Sequence, residues 1–376
     1  AQANTPRSGS GKAFHEVTRG MTRNWHIRSY RDGDENQILK LRQSVFGDLD
    51  PVRLKEPTWQ WQFQNNPSGK AVCFLAESNG EIVGQYVTIP TRFSIHGKKT
   101  RVAFSCDTMI HPEYRRQGMF SALAREVYDH LETQCNIHLV WGFPNDQSRP
   151  GFTGQLGWRM LPTIPLMVMP IRPLSMIFNA LPLLNKMLKS PPAPIETNTD
   201  MAFSTKIQGL HISPIEHFDE AFHALWQNHS TIAPVIQVRD RRYLQWRYIS
   251  VPEFGYRPFA VLHDGRLLGY LVIRMMALKG QMFGVLVDVF PFPMGSVLVI
   301  HEIFSFSRQY VKAHGGDFLT CLLPRREAGI LKRAGFRRVP EIINPKPWRL
   351  GYRWAGKGPS EDLDDWHVAY GDTDVV

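Results

Sequence analysis

The pattern of apolar and polar positions predicts a β-hairpin in each half of the chain. Asn79-Gly80 separates two strand-like apolar runs in the first half, and Asp264-Gly265 separates two such runs in the second. A turn dipeptide between β-rich runs is typical of an antiparallel hairpin. Before each hairpin, an initial strand leads into a helix that opens with acidic residues. The two halves therefore share a local order of elements.

Landmark residues of the first half recur in the second half at matching spacings. Trp61 precedes a proline by six residues and a glycine by twenty-three, and Trp246 does the same. The further matching pairs are Asp107 with Asp288, Pro112 with Pro293, and Gly157-Trp158 with Gly335-Phe336. Agreement at this many positions predicts two copies of one domain. We expect an α/β fold of the α+β mixed-sheet kind, each copy a mixed, mostly antiparallel sheet flanked by helices.

The proline-rich segment between the copies indicates where the domains end. The expected segments are a mobile leader (1–24), a first domain (25–171), a linker (172–205), a second domain (206–350) and an acidic tail (351–376). Within the linker, apolar residues over 174–189 share one helical face. Two interpretations stay open: a helix packed between the domains, or one that contacts a membrane surface or an acyl chain.

The charge of the chain first suggests a polyanionic partner. Its 376 residues are 43% hydrophobic and 21% charged, an ordinary globular composition, and carry a net charge of +10. Residues 356–376 carry −5, so the other 355 residues carry +15. Arginines surround Tyr243 and Trp246, as in a nucleic-acid surface. However, Trp61 matches Trp246 in the repeat without neighbouring arginines, which favours a core role for these aromatics over nucleic-acid binding.

The cysteines, the N-terminal residues and the uncharged stretches indicate the cellular compartment of the protein. Four cysteines with no CxxC spacing form neither a disulfide framework nor a zinc motif, so no metal is expected. The first 24 residues lack the apolar core of a secretory signal. Uncharged stretches near the middle of the chain are shorter than the roughly 18 residues of a spanning helix. We expect a cytoplasmic protein, and the sequence leaves its oligomeric state open.

The segment 107–125 carries the clearest chemical signal. An apolar strand ends at His111-Pro112, the basic turn Arg115-Arg116-Gln117-Gly118 follows, and an amphipathic helix begins after it. Backbone N–H groups at a glycine turn and helix N-terminus bind phosphate groups, and the helix dipole favours the anion. The arginines add charge-assisted contacts. The segment therefore predicts a site for a pyrophosphate.

This segment resembles the acyl-CoA-binding motif of the GNAT superfamily of N-acetyltransferases, in which Arg/Gln-x-x-Gly-x-Gly/Ala cradles the pyrophosphate. Residues 115–118 match the motif, whereas Phe120 replaces its last small residue. The pattern is also similar to bacterial tandem-GNAT acyltransferases, including the aminoglycoside-modifying type. The resemblance implies acetyl-CoA or another acyl-CoA as co-substrate. The residues that it implies for donor binding are Met109, Ile110, His111, Arg115, Arg116, Gln117, Gly118, Met119, Phe120, Ser121, Asn145 and Phe152.

The resemblance also implies direct attack by an amine on the thioester. Asp107 is the candidate base, with fixing of the loop as the alternative role. The family often places a tyrosine as acid where this chain has Thr153, and a threonine cannot act as a phenol does. Tyr114 is the remaining candidate acid, and otherwise the thiolate leaves unassisted. His111 and His138 flank the thioester region, and a structural role is favoured for both.

The second copy departs further from the motif. It has no arginine before Gly295 and has prolines where amides are needed. It is therefore expected not to bind acyl-CoA, but to shape the acceptor site or stabilise the first copy. The expected acceptor is a primary amine of a small molecule or sugar; an amino sugar, an aminoglycoside-like amine, an amino acid and a protein lysine all fit the sequence. Two alternatives remain: a non-catalytic acyl-CoA-binding regulator, and a transferase with a longer-chain or carrier-protein-bound donor.

Overall fold

The computed structural model describes residues 24–47, 50–172, 205–278, 281–322, 328–344, 347–356 and 358–373. The linker helix expected over 174–189 and the leader expected over 1–24 (residue 24 apart) lie outside these residues. No helix within the described part is long and apolar enough to cross a membrane.

The first half forms a sheet with helices on both faces. Its elements in chain order are β1 (His26–Ser29), α1 (Glu35–Phe46), α2 (Glu56–Phe63), β2 (Val72–Ser78), β3 (Glu81–Ile95), β4 (Lys98–Ile110), α3 (Met119–Gln134), β5 (Leu139–Gly142), α4 (Arg149–Gln155), β6 (Arg159–Ile164) and β7 (Leu166–Pro170). Short 3₁₀ turns lie at Pro51–Leu54 and Pro112–Tyr114. Asn79 and Gly80 both have positive φ, as a two-residue hairpin turn between β2 and β3 requires.

The second half repeats this order. Its elements are β8 (Leu210–Pro214), α5 (Glu220–His229), β9 (Val235–Gln237), α6 (Arg241–Leu244), β10 (Tyr256–His263), β11 (Arg266–Leu278), β12 (Gln281–Phe290), α7 (Val297–Ala313), β13 (Phe318–Leu322), α8 (Ala328–Arg333), β14 (Arg337–Arg338), β15 (Trp348–Trp354) and β16 (Trp366–His367). A π-helical turn over Gln245–Ile249 continues α6. Asp264 and Gly265 have positive φ at the β10–β11 hairpin, like their counterparts in the first half.

The strands form two mixed sheets, as the sequence predicted. Within the described residues, the first sheet has nine strands with the main order β1-β2-β3-β4-β5-β15-β6, and β9 and β16 extend it from β3. The second has seven, in the order β8-β10-β11-β12-β13-β7-β14. Neighbours pair antiparallel, except for the parallel pairs β4–β5, β12–β13 and β9–β16.

Each half contributes one strand to the sheet of the other half. β7 pairs with β13 and β14 of the second sheet, whereas β15 pairs with β5 and β6 of the first. The two exchanged strands occupy equivalent places in the two strand orders. β7 lies inside the segment expected to be the first domain, and β15 spans the border between the expected second domain and tail. The sheets are thus shared between the halves.

A joint apolar core lies between the two sheets. It includes Trp61 and Trp141 from the first half, Tyr243 and Phe290 from the second, and Trp366 from the chain's last strand. Residues 358–373, expected to belong to an acidic tail, contribute buried side chains to this core. Removing so much aromatic area from water stabilises the association of the halves strongly.

Candidate functional site

The parallel strands β4 and β5 diverge in the first sheet. They pair from Ala103 with Val140 to Ser105 with Gly142, where β5 ends, while β4 continues to Ile110. A Cβ atom on Gly142 would lie 2.7 Å from the carbonyl oxygen of Ser105, so only glycine permits this close approach. The last residues of β4 therefore have one edge that β5 does not cover.

A β-bulge distorts β4 just beyond this divergence. Gln85 and Val87 of β3 pair with Met109 and Cys106, so that two residues of β4 oppose Tyr86 alone. Asp107 in the bulge has a φ of 44°, and its backbone carbonyl accepts a 2.9 Å hydrogen bond from the side-chain amide of Gln85. The bulge turns the Asp107 side chain toward α1.

A turn of left-handed residues connects β4 to α3. Arg116 has a φ of 63°, and Gly118, at 76°, precedes the first residue of α3. The first amides of a helix have no acceptor within the helix, and they point out of its N-terminus. A Cβ atom on Gly118 would meet no atom within 4 Å, which means that open space lies beside the turn. The turn can therefore admit an anion.

The basic side chains of this turn are available to a ligand. Arg115, Arg116 and Gln117 are exposed. Neither guanidinium has an ion-pair partner among the residues that the structure describes; the Arg115 Nε only donates a long 3.4 Å hydrogen bond to the carbonyl of Ile110. Two unpaired positive charges at a helix N-terminus form a strong electrostatic site for phosphate groups.

Apolar side chains of the expected donor-binding set fix the start of α3. Met119 is buried so close to Gly84 that a Cβ there would lie 2.5 Å from its sulfur. Phe120 packs at 5.0 Å on Phe152, which is a core residue that also contacts Trp158. Ser121 hydrogen-bonds Gln155 of α4. The remaining members, Met109, Ile110 and His111, lie on β4 or directly after it.

Asn145 lies in the turn between β5 and α4. Its side-chain oxygen accepts a 2.8 Å hydrogen bond from the N–H of Ser148, and its carbonyl accepts one from Arg149. Asn145 thus organises the turn into α4, and it is itself exposed.

The three candidate catalytic residues are held by separate partners. Thr153 is exposed, and its hydroxyl donates to the carbonyl of Arg149 in its own helix at 3.1 Å. The Tyr114 hydroxyl donates to Ser78 at 3.1 Å. Asp107 pairs with arginines, and no hydrogen bond or ion pair joins any two of the three. The structure does not bring them together as a catalytic group.

Asp107 is an ionised carboxylate in an arginine pair. Its side chain lies 2.7 Å from Nη1 of Arg42 and 3.9 Å from Nη1 of Arg53. Burial by itself would raise the pKa of Asp107, but the two guanidiniums hold it below the ordinary aspartate value. The carboxylate is therefore ionised at neutral pH, and its contacts with the two arginines hold the bulge.

A cavity of about 40 Å³ adjoins the bulge between the two halves. Its lining side chains come from the 3₁₀ turn at Pro51–Leu54, α2, the first sheet, α6 with its π-helical turn, and the C-terminal segment. They include Arg53, Gln62, Trp141 and Arg247. Arg53 reaches Asp107, and the Gln62 amide lies 3.8 Å from the sulfur of Cys106, next to the bulge. Sequence reasoning missed Arg53 and Gln62, because no local motif marks them.

The equivalent loop of the second half lacks the open, basic turn found before α3. Met294 is buried against Gly269, where a Cβ would lie 2.2 Å from its methyl carbon. The Ser296 hydroxyl accepts a 3.3 Å hydrogen bond from the N–H of Val299, so the helix α7 is capped by its own residue. Val297 and Leu298 follow, and they are 59% and 69% exposed. An apolar, self-capped terminus offers nothing to a phosphate.

Asp288, the repeat counterpart of Asp107, belongs to a buried network. It pairs with Arg239 at 3.1 Å and accepts hydrogen bonds from the hydroxyls of Tyr248 and Tyr270. Arg239 also pairs with Asp372 of the C-terminal segment at 2.8 Å. Burial raises the pKa of Asp372, although Arg239 opposes the shift. The network ties the C-terminal segment to the second sheet.

The site's surroundings contain other polar groups that sequence reasoning did not find. Tyr86 and Tyr128 share a 2.7 Å hydrogen bond between sheet and α3, and Ser105 and Trp158 donate to them. Burial raises the pKa of Tyr128 to about 12, so this phenol stays protonated. Among the described residues, no group of three His, Cys, Asp or Glu side chains is placed to hold a metal ion.

Comparison with known proteins finds a matching family model for part of the chain and solved structures with a similar fold. The family described as "acetyltransferase (GNAT) domain" matches residues 26–161. A GCN5-related N-acetyltransferase from Anabaena variabilis is 12% identical, with a TM-score of 0.59 over 87% of this chain and 72% of its own. Saccharomyces cerevisiae N-myristoyltransferase with bound myristoyl-CoA is 13% identical, with a TM-score of 0.58 over 90% and 84%. No curated protein sequence matches the chain.

Proposed function

We propose that this chain, whose residues 26–161 match the GNAT acetyltransferase domain, is an acyl-CoA-dependent N-acyltransferase whose first copy alone binds the donor. The donor that we propose is acetyl-CoA, and the acceptor is a primary amine of a small molecule or sugar. One observation carries this proposal: the turn at residues 115–118 is exposed, left-handed and basic, and it opens on the N-terminus of α3 beside the diverging strands.

The proposal assigns each part of the donor to a feature of the first half. The pyrophosphate binds the amides at the start of α3 and the guanidiniums of Arg115 and Arg116. The pantetheine arm pairs as an added strand along the uncovered edge of β4. A backbone N–H beyond the bulge then polarises the thioester carbonyl and stabilises the negative oxygen that forms during attack.

The acceptor amine approaches from the cavity between the halves. Its neutral nitrogen attacks the thioester carbonyl, the C–N bond forms, the C–S bond breaks to release the CoA thiolate, and the nitrogen passes one proton to solvent water. Asp107 is a positioning residue in this scheme, because its ion pair with Arg42 keeps it ionised and holds the bulge. A thiol has a pKa near about 8.5, so the CoA thiolate leaves without an acid at Thr153 or Tyr114.

The second copy closes the acceptor side of the cavity. Its loop, which has no basic side chain, and its self-capped helix support a role without donor binding. The side chains that it presents to the cavity, among them Trp246 and Arg247, are contacts for an acceptor.

Calorimetric titration with acetyl-CoA tests the donor site. We expect binding by the wild type, loss of binding in Gly118→Trp because the indole fills the open space beside the turn, and unchanged binding in Gly295→Trp. The last variant is the matched control, since Gly295 is also exposed with positive φ and precedes the equivalent helix. A wild type that binds no acyl-CoA contradicts the proposal.

Thiol release with a panel of amines then separates a transferase from its alternatives. A transferase releases CoA only when an amine is present, whereas a non-catalytic acyl-CoA-binding protein binds the donor and releases none. Myristoyl-CoA and an acyl carrier protein substrate serve as comparison donors. Turnover with either of these but not with acetyl-CoA corrects the donor while it preserves the reaction.

A further inference from the structure

Three arginines surround one pair of aromatic rings between the halves. Phe254 and Tyr256 are stacked with centroids 5.8 Å apart. The guanidiniums of Arg53 and Arg274 lie 5.8 and 5.0 Å from the Phe254 ring. Those of Arg247 and Arg274 lie 5.5 and 5.7 Å from the Tyr256 ring. Cation–π contact holds each group in place, but it does not neutralise the charge.

The positive charge of this cluster is only partly balanced. Arg53 pairs with Asp50 at 3.0 Å and, more distantly, with Asp107. Arg247 donates to main-chain carbonyls of the C-terminal segment. Arg274 is partly buried and has neither an ion pair nor a hydrogen bond among the described residues. Burial lowers the pKa of Arg274, which is the sign of a charge without adequate solvation.

We propose that Arg274 and Arg53 form an anion subsite, and that the acceptor carries a carboxylate or phosphate group that binds there. The identification of the bound molecule as the acceptor rests on the proposed function, whereas the anion subsite itself does not depend on it. A planar guanidinium presents paired N–H donors that match the oxygens of either anion. The aromatic faces hold Arg53 and Arg274 beforehand, so little side-chain entropy is lost when the anion binds.

The position of Arg53 connects this subsite to the reaction. Arg53 lines the cavity and also reaches Asp107 in the bulge of β4. Arg274 does not line the cavity, but it shares the Phe254 ring with Arg53. An acceptor whose anion binds Arg274 and Arg53 therefore has its amine on the side of the bulge. The same geometry disfavours polycationic acceptors, because like charges in a partly buried site repel strongly.

Thermal unfolding with inorganic phosphate tests the subsite without reference to catalysis. The midpoint is measured from 0 to about 20 mM phosphate at constant ionic strength for the wild type, Arg274→Gln, Arg274→Lys and Arg116→Gln, because a ligand that binds the native state raises it. We expect the rise to be largest in the wild type, smaller in Arg116→Gln and Arg274→Lys, and smallest in Arg274→Gln, which keeps only the phosphate site at the α3 turn. Arg116→Gln is the control for phosphate at the turn before α3.

Three results would overturn the subsite. The first is an equal rise in the wild type and in both Arg274 variants. The second is a rise that Arg116→Gln abolishes, since phosphate would then bind only at the α3 turn. The third is the absence of any rise in the wild type.

Matched acceptors test the link to catalysis and identify the anion. Glycine is compared with glycinamide, and glucosamine 6-phosphate with glucosamine, in the thiol-release assay. We expect the acidic member of at least one pair to have a kcat/KM about tenfold higher in the wild type, and about equal to its neutral partner in Arg274→Gln. An acceptor panel without any turnover contradicts the proposed function, while the phosphate shift still decides the subsite. Equal rates within both pairs contradict an acidic acceptor.

Discussion

Trp61 and Trp246 each donate their indole N–H to the backbone carbonyl of the other, at 2.9 and 3.0 Å, while their rings stack 4.7 Å apart. The two residues hold the same place in the internal repeat, so this contact lies on the approximate twofold relationship between the halves. Both rings line the cavity beside the bulge. The repeat landmark that is visible in the sequence is thus the contact by which the copies recognise each other.

Replacing either tryptophan should weaken the joined halves in a coupled way. Trp61→Phe and Trp246→Phe each remove one hydrogen bond and leave a carbonyl unpaired, so we expect a loss of about 1–3 kcal/mol in the free energy of unfolding. The double variant should lose less than the sum of the two, because the pair acts as a unit. Urea denaturation of the three variants measures the coupling energy.

Trp59→Phe serves as the control on the same helix. Trp59 is buried, but its indole nitrogen has no hydrogen-bond partner among the described residues. Additive losses at positions 61 and 246, similar to the loss at 59, would mean that the reciprocal hydrogen bonds contribute little.

The pH dependence of activity should not come from Asp107. Its pKa lies below the ordinary value, so the carboxylate stays ionised throughout the neutral range. The rise of kcat/KM with pH should follow deprotonation of the acceptor amine, and Asp107→Asn should lower kcat/KM without moving the midpoint of that rise. A profile that loses its rise in Asp107→Asn would instead identify this residue as the base.

Stability measurements on Asp107→Asn test the direction of the Asp107 pKa shift independently of activity. The unfolded pKa of an aspartate is near about 3.9 and the folded value here is lower, so the Asp107 ion pairs stabilise fully above about pH 4. This contribution is lost as the pH falls through the folded value. The difference in unfolding free energy between wild type and Asp107→Asn should therefore be constant from pH 5 to 8 and shrink below pH 4.

The buried Arg239 network should respond unequally to single and combined changes. Arg239→Met leaves the carboxylates of Asp288 and Asp372 without their cation, and we expect a loss of about 3–5 kcal/mol in the free energy of unfolding. The triple variant Arg239→Met, Asp288→Asn, Asp372→Asn should be more stable than Arg239→Met alone, because no unpaired charge is left buried. Guanidinium denaturation gives both values, and a triple variant less stable than the single one would refute the charge argument.

Ser296 should matter for stability and not for donor binding. Its hydroxyl caps α7, so Ser296→Ala should lower the free energy of unfolding by about 1 kcal/mol. Acetyl-CoA titration should give the same affinity as for the wild type. A change in affinity would show that the second copy takes part in donor binding.

Much of the fold could be predicted from local patterns. The turns at Asn79-Gly80 and Asp264-Gly265 adopt the positive φ values that their side chains tolerate, and the hairpins around them are confirmed. Such features depend on a few neighbouring residues. The turn at His96-Gly97, which has the same backbone signature, was not identified beforehand.

Partner choice between distant segments could not be predicted. The strands β7 and β15 are short and can pair with any open sheet edge. Their sequences therefore do not indicate which of the two sheets they join. The same holds for Arg239, which the sequence shows as one of several arginines near aromatic residues. Its burial depends on Asp288 and Asp372, which are 49 and 133 positions away.

The candidate site likewise contains residues that a local motif predicts and residues that only the folded chain brings together. The motif at residues 115–118 is contiguous and could be recognised, whereas Arg53, Gln62 and Arg274 reach the cavity region from separate elements. Thr153 holds the single position at which the family often has a tyrosine acid, and a threonine cannot take over that role. The structure gives its hydroxyl a main-chain partner within α4.

The exchange of β7 and β15 affects how the chain matures during synthesis. The edge of β5 pairs with residues 351–354, about two hundred positions further along the chain. A ribosome must therefore synthesise most of the second half before the first sheet can be completed. Until then Leu139–Gly142 presents an open edge in the nascent chain, the kind of surface that invites pairing with another molecule. Assembly of the first sheet thus waits for synthesis of the second half.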